Sequence, residues 1–161
     1  DTGNKRIPWD LLPSFWVTEN DYYDNKKWLK TPLMQSGNVE EKYKAVCGGI
    51  DEITKKHGYV RNGNIYKVER ESRETVALFC HFGVECVILS HLLGISPVVL
   101  WHNFCALPSS VTTLVTEERE QGKAAFRMCG FGDISHLYAG NEEPSFQARF
   151  CETYSNFEER H

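Results

Sequence analysis

The sequence predicts an α/β fold, and three observations support this prediction. Residues 39–57 carry apolar side chains at helical spacing, while residues 75–80 form a continuous apolar run after Thr75. Residues 110–116 are rich in β-branched side chains, which favour strands. A continuous apolar strand is typical of a parallel sheet that is buried on both faces, so we expect residues 75–80 to form a central strand.

The composition is that of an ordinary globular protein. The chain has 161 residues, of which 41% are hydrophobic and 25% are charged, so it is long enough for one core. Its net charge is −4 and no basic block occurs, which argues against nucleic-acid binding. The apolar runs are too short to cross a membrane, so we expect no membrane partner.

The cysteines and the start of the chain bear on where the protein resides. The six cysteines form no C-x-x-C pair, and several lie in apolar runs such as residues 77–80. Because free cysteine is readily buried, we expect reduced, buried thiols in a cytoplasmic protein. The chain begins at Asp1 with neither an initiator Met nor the apolar stretch of a signal peptide, which we interpret as a processing site, a nick or an artificial boundary.

We predict a single domain over residues 1–161, with a distinct aromatic segment over residues 1–37. This segment combines many aromatic side chains with Pro8, Pro13 and Pro32, which forbid one long helix. Short helices packed through aromatic rings are therefore expected. The segment either forms a cap over the rest of the domain or packs as ordinary core, and the sequence leaves both interpretations open.

The next elements are a helix and a hairpin. Residues 39–57 predict an amphipathic helix, with Asn38 as its N-cap and Gly58 at its end. Residues 59–61 and 65–68 then flank Asn62–Gly63–Asn64. Since Asn and Gly tolerate positive φ angles, this triplet indicates a β-hairpin.

Two helices are predicted after the apolar run. The first runs from Val84 to Leu93 and ends at Gly94, and the second opens at Pro97, a residue favoured in the first turn. His91 and His102 fall on these two helices, where we expect them at the surface or at a helix end.

The rest of the chain predicts a pair of strands and a surface tail. Residues 110–116 and 123–129 read as antiparallel strands around a turn at Gln121–Gly122. The tail from Gly130 is rich in Gly, Pro, Ser and Asn, and we expect it to follow the surface with a helix near residues 146–154.

His81 is the candidate catalytic residue, since it follows the predicted strand and precedes Phe82, Gly83 and a helix. In open α/β sheets, ligands bind at the carboxyl ends of strands. The backbone N–H groups of Phe82 and Gly83 would open the helix and, with its dipole, form an anion site. We therefore predict that His81 donates to a phosphoryl oxygen and that Phe82 and Gly83 bind substrate. Alternatively, His81 is a hydrogen-bonded turn residue.

Other phosphate and metal chemistries fit the residue spacing less well. A tyrosine-phosphatase loop requires Arg six residues after its Cys, but the residues six positions after Cys80 and Cys129 are Cys86 and Ser135. The phosphate-binding P-loop and the G-x-S-x-G motif are both absent. Cys80 and His81 would point to opposite faces of an extended segment, so they make a poor zinc pair, and we predict no metal site.

Residues 76–84, together with the helix ending at Leu92–Leu93–Gly94, resemble the second-histidine segment of histidine phosphatases of the phosphoglycerate-mutase-like superfamily. The usual motif there is an apolar strand, Ser-His-Gly-Gly and a helix. The stretch from Phe79 to His161 is similar to phosphatase-like proteins of clostridial-type bacteria. The resemblance is strong from residue 75 onward and weaker before it.

The resemblance implies a fold and a reaction. The fold is a three-layer α/β/α sandwich, of which this chain lacks the N-terminal strands and helices. The reaction transfers a phosphoryl group from a phosphorylated small molecule to a nucleophilic His and then to water or another acceptor, with no cofactor. His81 matches the second His, which donates to the phosphoryl oxygens, and the backbone N–H of Phe82 matches a phosphate contact.

The chain departs from the family pattern because it contains no Arg-His-Gly, the motif of the nucleophile. The nearest string, Lys56–His57–Gly58, lies at a predicted helix end, so we do not assign it that role. Arg61, Arg70 and Arg73 match no family motif. The nucleophile, the arginine clamps and the proton donor are therefore expected in an N-terminal half of the same protein.

Two interpretations of function follow. In the first, the complete protein is a phosphatase or mutase-like enzyme to which this chain contributes His81. In the second, the chain is a non-catalytic phosphate-binding or interaction module, which Phe82 in place of the usual Gly and the missing nucleophile favour. Because a strand at residues 75–80 would lack its neighbour, we also expect a partner, either the N-terminal half or a second copy.

Overall fold

The computed structural model describes residues 7–145 and 154–155. The chain divides into two compact units. The larger unit comprises the chain up to Phe104 together with Thr116–Phe126, and the smaller comprises Cys105–Val115 together with the chain from Arg127 onward.

Within the described residues, the protein is mixed α/β, with six α-helices and one four-stranded sheet. The helices are α1 (Pro13–Trp16), α2 (Pro32–Gln35), α3 (Val39–Lys56), α4 (Phe82–Leu93), α5 (Pro97–Asn103) and α6 (Ser135–Ala139). The strands are β1 (Tyr59–Asn62), β2 (Ile65–Val68), β3 (Val111–Glu120) and β4 (Lys123–Asp133). The sheet order is β1-β2-β4-β3, and β2 pairs antiparallel with both β1 and β4.

The aromatic N-terminal segment folds as short helices, as predicted. Pro13 and Pro32 each open an α-helix, and two 3₁₀ turns lie between them at Asn20–Tyr23 and Trp28–Lys30. Trp28 is buried and packs edge-on against Tyr43, with ring centroids 5.0 Å apart. The interpretation as aromatic core is therefore confirmed for Trp28, while a cap over the rest of the domain stays a prediction.

The predicted helix and hairpin are also confirmed. Glu40 and Glu41 lie in the first turn of α3, where carboxylates interact favourably with the helix dipole. The β1–β2 hairpin turns at Gly63, and Tyr66 of β2 is paired with Ala124 of β4. Both residues belong to a buried cluster that also contains Tyr59.

Arg61 joins the hairpin to the helices. Its guanidinium donates to the Tyr66 hydroxyl at 2.7 Å and to the carbonyls of Gly63 and His91 at 2.6 and 2.9 Å. His91 lies in the last turn of α4, as predicted, and its Nε2 is 2.8 Å from a carboxylate oxygen of Asp51 in α3. The bonds to Tyr66 and His91 are partly buried, so Arg61 has a structural role that its sequence context did not indicate.

Gly58 gives the first testable prediction, because it is required both by its φ of +94° and by a close approach of the chain. A Cβ added there would lie 2.1 Å from the carbonyl oxygen of Arg70. We expect Gly58→Ala to lower the free energy of unfolding by several kcal/mol, the size seen when backbone strain and overpacking combine. Urea unfolding monitored by circular dichroism measures this change.

Gly63→Ala is the matched control for Gly58→Ala. Gly63 also has a positive φ of +64°, but a Cβ there would meet nothing within 4 Å. We expect Gly63→Ala to lower the free energy of unfolding by only about 1–2 kcal/mol, which is the penalty of the left-handed conformation alone. Equal losses of unfolding free energy in the two variants would show that the close approach of the Arg70 carbonyl does not add to the cost.

The predicted central strand at residues 75–80 is wrong for this structure. Residues 71–81 have no regular secondary structure, and every residue from Arg73 to His81 is exposed, with Phe79 97% exposed. A strand forms only when a neighbour accepts its backbone hydrogen bonds, and no described segment pairs with this run. The expectation of a parallel sheet around it is likewise wrong for the described residues, since β2 pairs antiparallel.

The remaining predictions have mixed outcomes. The expectation of buried thiols holds for only two of the described cysteines, since Cys47 and Cys86 are buried while Cys80, Cys105 and Cys129 are exposed. The strands β3 and β4 and their turn at Gln121–Gly122 are confirmed. The helix predicted near residues 146–154 falls almost wholly outside the described residues. None of the described helices has the length and apolar character needed to cross a membrane.

Candidate functional site

His81 lies at the N-terminal end of α4, as the sequence predicted. It is the N-cap residue, with φ −83° and ψ 155°, and its carbonyl oxygen accepts the N–H groups of Val84 and Glu85, both at 3.0 Å. Its imidazole makes no hydrogen bond to any described residue, and the residue is exposed. The alternative of a hydrogen-bonded turn residue therefore holds for the backbone of His81 and not for its side chain.

Phe82 and Gly83 form the first turn of α4. The helix begins at Phe82, so the N–H groups of both residues point toward the N-terminal end, the direction that an anion site requires. A Cβ at Gly83 would meet nothing within 4 Å, so packing does not require glycine there. The local geometry is therefore the His-x-Gly-helix unit that the sequence indicated, without the preceding strand.

Trp101 supports this end of α4 from α5, and sequence reasoning did not identify it. Its indole N–H donates to the carbonyl of Gly83 at 3.1 Å. Its ring packs edge-on against Trp28 and Trp9, with centroids 5.8 and 6.4 Å away. The aromatic N-terminal segment thus lies next to the His81 end of α4, and Trp9 is more than half exposed there.

The charged groups that the described chain offers do not complete a phosphate site. Arg61 is bonded to the hairpin and to the His91 carbonyl, and Arg70 donates to the carbonyl of Lys56 at 3.1 Å. Glu85 lies in the first turn of α4, and its charge adds to burial, the main cause, in raising the pKa of the Cys86 thiol.

His57 is the other histidine that the sequence raised as a possible nucleophile. It follows α3 as its C-cap, and its Nδ1 is 2.7 Å from a carboxylate oxygen of Glu74. Hydrogen bonds from His57 are the main reason that the pKa of Glu74 is lowered. His57 therefore lies at a helix end, as predicted, and not after a strand, where the nucleophile of the related motif lies.

A second polar cluster lies between α3 and α4. The hydroxyls of Tyr43 and Ser90 are 3.1 Å apart, and burial raises the pKa of Tyr43 to about 12. Burial also raises the pKa of the Cys86 thiol to about 12, so Cys86 is a poor nucleophile near neutral pH.

Across the part of the chain that is described, no three His, Cys, Asp or Glu side chains come together as metal ligands.

Comparison with protein-family models, curated proteins and solved structures gives no significant match for this chain.

Proposed function

We propose that the complete protein transfers or hydrolyses the phosphoryl group of a phosphomonoester through a phosphohistidine, and that this chain supplies the second His of the phosphate site. The observation that supports the proposal is the exposed imidazole of His81, without a hydrogen bond in the described chain, at the start of a 12-residue helix. A helix of this length presents first-turn N–H groups and a positive dipole end to an anion.

In the proposed reaction, a His from the N-terminal half attacks phosphorus and the bond to the leaving oxygen breaks. That oxygen takes a proton from an acid in the same half, and water then attacks the phosphohistidine, which releases phosphate. His81 donates a hydrogen bond to the equatorial oxygens as their charge rises, assisted by the N–H groups of Phe82 and Gly83. The substrate is a phosphorylated small molecule, and the mechanism requires no cofactor.

The proposal includes a fold for the complete protein, namely the three-layer α/β/α sandwich of the phosphoglycerate-mutase type. Residues 75–80 would become a strand there, by pairing with a strand of the N-terminal half. Their exposure and the absence of backbone hydrogen bonds to described residues support this proposal. The free thiols of Cys47, Cys80, Cys86 and Cys129 fit a bacterial cytoplasm, where thiols stay reduced.

A second candidate function is a phosphate-binding or interaction module without catalysis. Two observations favour it for the chain as it stands. The 161-residue sequence contains no Arg-His-Gly motif, and Phe82 occupies a position where the related motif has Gly. In this case the helix start would bind an anion, and no covalent intermediate would form.

One experiment separates the two functions. A denaturing mass spectrum of natively purified material shows whether a second polypeptide with Arg-His-Gly accompanies this chain. If so, we expect brief exposure to a phosphomonoester to give a phosphoprotein that is stable in base and labile in acid, as phosphohistidine is. A complete natural protein that lacks Arg-His-Gly and takes up no phosphate would rule out the enzyme and leave the module.

A further inference from the structure

His102, in the last turn of α5, is bonded to backbone groups through both ring nitrogens. Its Nδ1 lies 2.7 Å from the carbonyl oxygen of Val98, and its Nε2 lies 3.0 Å from the backbone nitrogen of Leu11. A carbonyl can only accept and an amide N–H can only donate. The ring must therefore be the neutral tautomer, with a proton on Nδ1 and a lone pair on Nε2.

This arrangement joins two segments that are far apart in the sequence. The imidazole stacks on Trp16 of α1, with centroids 5.1 Å apart and an interplanar angle of 28°. Leu11 and Trp16 are both buried, so the bond to the half-buried His102 ring is partly shielded from water. Residues 7–17, which we call the N-terminal strap, are held against α5 on both sides of the ring.

The surroundings of His102 disfavour its protonated form. Burial lowers its pKa, and the Val98 carbonyl and the carboxylate of Asp10 offset this only in part. α1 contains no ionisable side chain. The 3₁₀ turn that packs on α5 brings Tyr22, Tyr23 and Asp21, whose carboxylate lies 3.8 Å from the Lys27 ammonium. The helix α4 also packs on α5, and its ionisable side chains are Glu85, Cys86 and His91.

We propose that His102 is a pH-sensitive latch for the N-terminal strap, closed when the ring is neutral and opened by protonation at Nε2. A proton on Nε2 places two donors against each other, because the Leu11 N–H also points at this atom. The bond is then lost and a charged ring is left in a half-buried position, both of which favour release of the strap.

Release of the strap would change the surroundings of His81. Trp9 precedes Leu11 in the strap, and its ring packs against Trp101, the residue that donates to the Gly83 carbonyl. Opening would thus remove Trp9 from the end of α4 where His81 lies. This consequence rests on the proposed function, whereas the latch itself does not.

The sign of the pH dependence follows from the lowered pKa of His102. In the released strap the ring titrates near its ordinary value of about 6.5. The stabilisation of the closed strap is therefore complete above about pH 6.5 and is lost as the pH falls through the lower pKa of the closed form. Between these two pKa values, the ratio of closed to released strap falls by up to about tenfold for each pH unit.

Hydrogen exchange of the 161-residue chain, measured by mass spectrometry from pH 8 to pH 5, tests the latch. After correction for the intrinsic exchange rates, protection of residues 9–17 is expected to be constant above pH 6.5 and to fall by up to about tenfold per pH unit below it. His102→Gln keeps a carbonyl that can accept the Leu11 N–H but cannot be protonated, so its protection should not change with pH.

His136→Gln is the matched control, since His136 is an exposed histidine on α6. This variant should keep the wild-type pH response of residues 9–17. An identical response in His102→Gln, or no response in the wild type, would overturn the proposal. If His102→Gln does not fold, NMR of the wild type decides the question. The signals of the His102 ring and of the Leu11 amide should then change with pH at the same midpoint, and separate midpoints would contradict the latch.

Discussion

Replacing His81 by Ala in the complete protein is expected to lower the turnover of a phosphomonoester by about a hundredfold or more. This is the usual cost of removing one preorganised donor from a site where negative charge develops. The loss should fall mainly on kcat, because the hydrogen bond strengthens as charge moves onto the phosphoryl oxygens. Steady-state kinetics with a generic aryl phosphate measure both constants.

The structure makes this substitution a clean test. The His81 imidazole is exposed and makes no hydrogen bond to a described residue, so its removal should leave the free energy of unfolding almost unchanged. A large loss of turnover with unchanged stability would therefore report on catalysis. Near-normal turnover would refute the assignment of His81.

His57→Ala is the control for His81→Ala. His57 also lies at a helix end, and it belongs to the string nearest to the nucleophile motif, but its ring is bonded to Glu74. We expect this variant to retain normal turnover. A loss comparable to that of His81→Ala would mean that the nucleophile lies in this chain after all, which would change the proposed division of the site.

The elements that were predicted correctly are those with local causes. The periodic apolar positions of α3 lie within one helix, and Gly94 ends α4 in the left-handed conformation, at φ +71°. Ser96 caps α5 by accepting the N–H of Val98, and the hairpin turn depends on Gly63. Each of these features is decided within a few residues, so it can be read from the sequence.

The candidate site was predictable only in part, because some of its features depend on residues that are distant in the sequence. The position of His81 before a helix follows from local sequence, whereas the roles of Trp101 and His102 depend on distant partners. The bond from Leu11 to His102 joins residues 91 positions apart, and the Trp101 bond to Gly83 joins two helices. No spacing rule connects such residues, although the aromatic-rich segment at residues 1–37 was a signal that it packs against other aromatic side chains.

The failed strand at residues 75–80 shows the limit of an apolar run as evidence. The run favours burial and β structure, but a strand also needs a neighbour for its N–H and C=O groups. Within the described residues no such neighbour is present, and the run is exposed. An apolar run is therefore evidence for a strand only where a pairing neighbour can also be identified.

We therefore expect the 161-residue chain alone to self-associate at micromolar concentration. Val76, Leu78 and Phe79 are 44%, 47% and 97% exposed, in a run of six residues without a charge. Exposed apolar segments with unpaired backbone groups and strong β propensity readily add strands from other chains. Sedimentation velocity over a range of concentrations should show species larger than the 18.5 kDa monomer.

Phe79→Lys should shift this chain toward the monomer, because a charge in the run opposes pairing between copies. Tyr138→Lys is the matched control, since Tyr138 is another exposed aromatic, on α6, outside the run. It should leave the distribution of species unchanged. A soluble, well-folded monomer of the unmodified chain would contradict the expectation, and equal effects of both variants would place the association elsewhere.

The complete protein provides the final comparison. If a strand of the N-terminal half pairs with residues 75–80, backbone amides of this run should become protected from hydrogen exchange, and self-association through it should disappear. Protection without activity would agree with the binding module, while protection with a His81-dependent activity would agree with the enzyme. Amides that still exchange freely in the complete protein would mean that the run is not a strand there, and the proposed sandwich would be wrong even if His81 were catalytic.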